Sequence, residues 1–87
     1  MTAPDGPDLH ALRAFVAIVR HGTVTAAGRE LGLTQPATSR LLAKIERQIG
    51  FALFHRVRGR LSPTADALLL FEEAEVALGN VADLHDL

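Results

Sequence analysis

The chain has 87 residues, 48% of them hydrophobic, with no cysteine, tryptophan or tyrosine and a net charge of −1. That length allows one small domain, and with only four phenylalanines its core is expected to be aliphatic and alanine-rich. A disulfide framework, a thiolate metal site and a thiol nucleophile are excluded, and no apolar run approaches the roughly 20 residues of a membrane span. The small net charge hides an asymmetry. Residues 1–63 hold all nine Lys/Arg against four acids, a net +5, whereas residues 64–87 hold six acids and no Lys or Arg, a net −6. A basic front attracts phosphates and an acidic tail is repelled by them, so the two parts face different partners.

Met1–Pro7, with two prolines and a glycine, is expected to be a disordered leader too polar to begin a secretory signal. Asp8 can cap a first helix running to about His21, whose stripe of Leu9, Leu12, Phe15, Val16 and Val19 has helical spacing. Gly22 stops it. Thr23 or Thr25 starts a short second helix through Leu31, with Val24, Ala27 and Leu31 inward. Gly28 within it should cost about 1 kcal/mol relative to alanine, which a close helix crossing would offset. Gly32 ends this helix and Leu33 is expected to plug the corner.

Thr34 caps a third helix from Gln35 to about Ile49, and Pro36 suits its first turn. Leu41, Leu42, Ile45 and Ile49 point inward. Gln35, Pro36, Ser39, Arg40, Ala43, Lys44 and Arg47 recur outward at spacings of three and four. Helix, short turn, helix is the helix-turn-helix signature. After Gly50, Leu53–Val57 has strand character, Arg58-Gly59-Arg60 is a basic turn, and Leu61-Ser62 returns, making a small hairpin wing.

Thr64 caps a last helix, with Asp66 suiting its dipole, that is expected to continue through Leu87. Ala67, Leu70, Ala74, Ala77, Val81 and Leu84 form a heptad seam, widened by Leu68, Phe71 and Leu78. Its first turn or two can pack on its own domain or on a second copy. Beyond about Ala74 the small front has little surface left, and a second copy of the helix is the expected cover.

The outward residues of the third helix suit nucleic acid. Glutamine at 35 matches adenine, arginine at 40 matches guanine, and Ser39 serves base or phosphate. Thr34 stands at the tip. Lys44 and Arg47 read as phosphate contacts or solvated charge, and Thr38 as a phosphate donor or a residue facing the first helix. Arg58 and Arg60 can reach the minor groove or backbone from the wing. Arg56 either joins them or anchors the hairpin to Glu46. The four histidines match no metal-ligand spacing, and no phosphate loop, nucleophile motif or carboxylate pair suggests an enzyme or a cofactor. Two rivals stay open: a protein-interaction module working through the heptad helix, and a non-specific nucleoid DNA binder.

Leu12, Phe15, Gly22, Thr25, Ala27, Leu31, Thr34 to Ser39, Ile45-Glu46, Ile49-Gly50, Leu53-Phe54, Arg56 and Thr64 occur in an order that resembles the DNA-binding domain of LysR-type transcriptional regulators. The resemblance runs from about Leu9 to Ala67. It implies a mainly α fold: a winged helix-turn-helix over residues 8–63, then a linker helix over 64–87 that pairs antiparallel in a homodimer. It also implies a bacterial, cytoplasmic regulator that binds a palindromic operator, forms a tetramer at full length, and senses a small molecule through an effector domain beyond this fragment. Carried onto this chain, the family's DNA contacts fall on Gln35, Pro36, Ser39 and Arg40, with Thr25 and the wing residues Arg58 and Arg60 on the backbone. The linker seam falls on Leu70, Phe71, Ala74, Ala77, Leu78, Val81 and Leu84.

Overall fold

Each helix begins at a polar side chain that accepts an N–H two or three residues into the first turn. The computed structural model describes residues 8–79. In α1 (Leu9–His21) Asp8 accepts from the Ala11 amide at 2.8 Å. In α2 (Val24–Leu31) Thr23, rather than Thr25, accepts from Ala26 at 3.1 Å. Thr34 does the same for Ala37 in α3 (Gln35–Ile49), and Thr64 for Ala67 in α4 (Ala65–Ala77). Each cap satisfies an amide that the helix leaves without a partner. Gly22, Gly32 and Gly50 stop the first three helices at φ of 81°, 72° and 100°, a conformation that favours glycine.

Between α3 and α4 lies an antiparallel hairpin, β1 (Phe54–Val57) and β2 (Arg60–Pro63), in which Phe54 faces Pro63 and Val57 faces Arg60. Its two loop residues, Arg58 and Gly59, have φ of +52° and +79°. That left-handed pair matches the twist of a two-residue hairpin. Leu53 is fully buried just before β1; its amide donates to a Glu46 carboxylate oxygen at 2.7 Å and its carbonyl accepts from Thr64 at 3.0 Å. Glu46 is therefore spent on the main chain of Leu53, not on Arg56 as one sequence reading had it.

The core joins Ala11, Phe15 and Ile18 of α1 to Ala27, Leu42, Ile45, Leu53 and Leu61. Phe15 and Phe54 pack with ring centroids 5.8 Å apart at 56°. Burying a side chain of this size contributes on the order of 2–3 kcal/mol. Leu9, expected on the buried stripe, is 50% exposed; α1 turns its alanines at 11, 14 and 17 inward instead, which lets its neighbours approach closely. Leu33 is also exposed. The helix-turn-helix corner is closed by its main chain, whose amide donates to the Gly28 carbonyl at 2.8 Å.

The last helix is shorter than its heptad pattern suggests. Regular helix ends at Ala77, with Leu78 as its cap and Gly79 left-handed at φ 79°, a stop signal that the reading through Leu87 overlooked. Val81 and Leu84 lie outside the described residues, as does the leader 1–7. Of the two covers left open for the first turns of the seam, its own domain is the one present. Ala67 and Ala74 are buried against the domain, and Leu70, Phe71 and Leu78 pack on its core; Ala77 is exposed. Small residues at 67 and 74 bring α4 close to α1 and β2. On α4 the large apolar side chains left in solvent are Leu68, Leu69 and Val76, with Leu69 and Val76 on the face opposite Ala74.

Candidate nucleic-acid interface

The helix-turn-helix presents one face of α3. Thr38, Leu42 and Ile45 are buried, with Leu41 and Ile49 half-buried, and this stripe faces α1 and α2. The remaining surface starts at the capped end and carries Thr34, Gln35, Pro36, Arg40, Ala43, Lys44 and Arg47, all exposed, with Ser39 half-buried on its flank. Amides at a helix N-terminus carry partial positive charge, so this end attracts phosphate even before the arginines are counted. Thr25, in the first turn of α2, is exposed as well.

Thr38 is the exception among the expected contacts. It is fully buried, and its hydroxyl donates to the Thr34 carbonyl at 2.9 Å. A Cβ built on Gly28 would stand 2.8 Å from that hydroxyl oxygen and 2.9 Å from the Leu33 carbonyl oxygen. Thr38 therefore belongs to the α2–α3 crossing and is withdrawn as a phosphate donor. The close crossing expected at Gly28 is present.

The wing places its two candidate arginines differently. Arg58 is exposed at the tip of the loop. Arg60 folds back: its guanidinium donates to the His21 carbonyl at 3.3 Å and covers Gly22, where a Cβ would meet it at 2.2 Å. The Leu61 amide donates to the Gly22 carbonyl at 2.8 Å beside it. Together these contacts fasten the hairpin to the α1–α2 turn. Arg60 sits where the C-terminal end of α1 carries partial negative charge.

Among the described residues, two ion pairs and one histidine–carboxylate contact tie the elements together. Arg20 of α1 meets Glu75 of α4 at 2.5 Å, His21 meets Glu30 of α2, and Lys44 of α3 meets Asp8 at the start of α1. The hydrogen bond from Lys44, and next the Ala11 amide, hold the Asp8 carboxyl below its ordinary carboxylate value. Asp8 had been read only as a cap; its second role depends on α3 lying alongside, which no local pattern announces. Among the described residues no three His, Asp or Glu side chains gather as metal ligands, and no helix is long and apolar enough to cross a membrane.

Residues 9–68 match the family described as bacterial regulatory helix-turn-helix protein, lysR family. The chain is 43% identical over 67 residues to the HTH-type transcriptional regulator DgcR of a Pseudoalteromonas species, covering 77% of this chain and 23% of that protein. It is 46% identical over 68 residues to the transcriptional activator protein LysR of Escherichia coli K12, covering 78% and 22%. The chain thus spans about a quarter of the length of these curated relatives. Among solved structures, a complex of the CbnR DNA-binding domain with DNA superposes with a TM-score of 0.79 at 25% identity, covering 91% of both chains. A complex of the BenM DNA-binding domain with catB site 1 DNA gives 0.78 at 29% identity, covering 91% of this chain and 85% of that one.

Proposed function

Because the chain belongs to the LysR family of bacterial regulatory helix-turn-helix proteins, we propose that it binds double-stranded operator DNA sequence-specifically in the control of transcription. The observation that carries this reading is the division of α3 into a buried half and an exposed, cation-bearing half that begins at a capped N-terminus. That end enters the major groove. Gln35, Ser39 and Arg40 meet base edges, while Arg47 and the wing tip at Arg58 meet the backbone. The likeness to domains solved on DNA supports the same reading. The protein works in the cytoplasm and carries out no catalytic step.

The domain acts as a dimer on an imperfect palindrome, two half-sites suiting two recognition helices. The partner-facing surface is the outward side of α4, where Leu69 and Val76 are both 65% exposed. Tetramer assembly and small-molecule sensing are not assigned to any residue of this chain.

Selecting duplexes from a random pool and measuring affinity against salt tests the reading. A selected site and a steep fall in affinity with salt are expected, because bound phosphates release counterions. Arg40→Ala should cost about 1–3 kcal/mol on the selected site and much less on unrelated duplexes. An equal loss on every sequence would leave only a non-specific binder.

A further inference from the structure

We propose that Asp8 sets the DNA affinity of this domain by holding Lys44, a cation of the recognition helix, away from the phosphates. The proposal rests on the DNA-binding reading above and adds a residue that lies outside the helix-turn-helix proper.

The two oxygens of the Asp8 carboxylate have separate tasks. Oδ1 accepts the Ala11 amide at 2.8 Å and caps α1, whereas Oδ2 meets the Lys44 ammonium. Lys44 lies one turn beyond Arg40 on the exposed side of α3, and 45% of its side chain is accessible. Its neighbours Arg40 and Arg47 have no carboxylate partner among the described residues. An ion pair this exposed adds little to stability, and the cap requires only Oδ1. The pairing therefore acts mainly on the charge that α3 offers to a duplex.

A lysine that neutralises a phosphate releases about one counterion, which steepens the logarithmic dependence on salt by about 0.9. Paired Lys44 brings its own countercharge. To reach a phosphate it must leave the carboxylate behind in the negative field of the duplex, so the gain is cancelled. In effect α3 presents one cation fewer than its sequence contains. The effect is independent of base sequence, so it moves affinity for all duplexes together.

Asparagine at position 8 keeps an oxygen for the cap and removes the charge. The test is the 87-residue chain titrated by fluorescence anisotropy against a short mixed-sequence duplex over a salt series. Asp8→Asn is expected to bind about eightfold more tightly per bound chain near 0.1 M monovalent salt, with a slope steeper by about 0.9. In a Lys44→Ala background the same change should give no gain. Far-UV melts check that α1 is intact, and Asp8→Ser, also a neutral cap, replaces Asn if they show loss of helix. Unchanged or weaker binding by the folded variant overturns the proposal. So does a gain that persists without Lys44, since the bare carboxylate would then be the cause. If the unaltered chain binds no duplex even at low salt, the DNA reading falls and this inference with it.

Discussion

Gly28 and Thr38 touch where α2 crosses α3, closely enough that one added methyl has nowhere to go. The Thr38 hydroxyl is fixed by its bond to the Thr34 carbonyl, and the other near atom is the main-chain oxygen of Leu33. Neither yields as a flexible side-chain tip would. Gly28→Ala gains about 1 kcal/mol in helix propensity, but overpacking of a rigid crossing costs typically 1–3 kcal/mol. The net expectation is a lower Tm. Thr38→Ala in the same chain should recover part of the loss, a coupling that a double-mutant cycle in urea reads directly. Additive losses would place the strain elsewhere.

Arg60 is expected to behave as a clasp. Arg60→Ala should free the hairpin from the α1–α2 turn and speed hydrogen exchange at the Leu61 amide, which donates to Gly22, by about tenfold, for a local loss of about 1.4 kcal/mol. Arg58→Ala should leave that exchange rate alone and make the salt dependence of DNA binding shallower by about 0.9. If the two variants exchange identically at Leu61, the distinction between the wing arginines is lost.

Asp8 carries a pH signature whose sign follows from its depressed folded-state value. Its contribution to stability is present above the ordinary carboxylate value and is lost as pH falls through the folded-state value. Thermal melts of Asp8→Asn against the unaltered chain should therefore differ most at neutral pH and converge in acid. A gap that widens on acidification would contradict the pairing with Lys44.

The two faces of α4 are separable by mutation. Ala74→Asp puts a carboxylate at a site 2% exposed and should cost on the order of 3 kcal/mol or more. Leu69→Asp, on the opposite side, should leave the melting of the single domain nearly unchanged while shifting sedimentation from dimer to monomer and weakening operator binding through lost bivalency. Were Leu69→Asp to sediment as a dimer, the outward face would not be the contact.

Element starts and stops were legible because each is decided by a few adjacent atoms. Asp8, Thr34 and Thr64 accept amides of their own first turns, and Gly22, Gly32 and Gly50 supply the left-handed residue that ends a helix. The outward set of α3 was legible for the same reason, and Thr38, left open between phosphate and core, is in the core. What escaped depends on elements distant in the chain: Thr38 turned into a crossing, Arg60 folded onto Gly22, Lys44 held by Asp8. The cover of the α4 seam stays open in the sequence because the helix is apolar on two sides. Leu69 and Val76 compete with Leu70 and Ala74, and only the docking of α4 on α1 and β2 decides between them. Gly79 was a visible stop that the heptad pattern overrode.

Leu53 has a mechanical consequence. Its amide is moored to the last turns of α3 and its carbonyl to the first residue before α4, so one peptide unit on either side of a single buried Cα joins the reading element to the rod that follows it. A twist imposed on α4 therefore has a direct hydrogen-bonded route to α3 through Leu53, on top of the packing of both helices against α1.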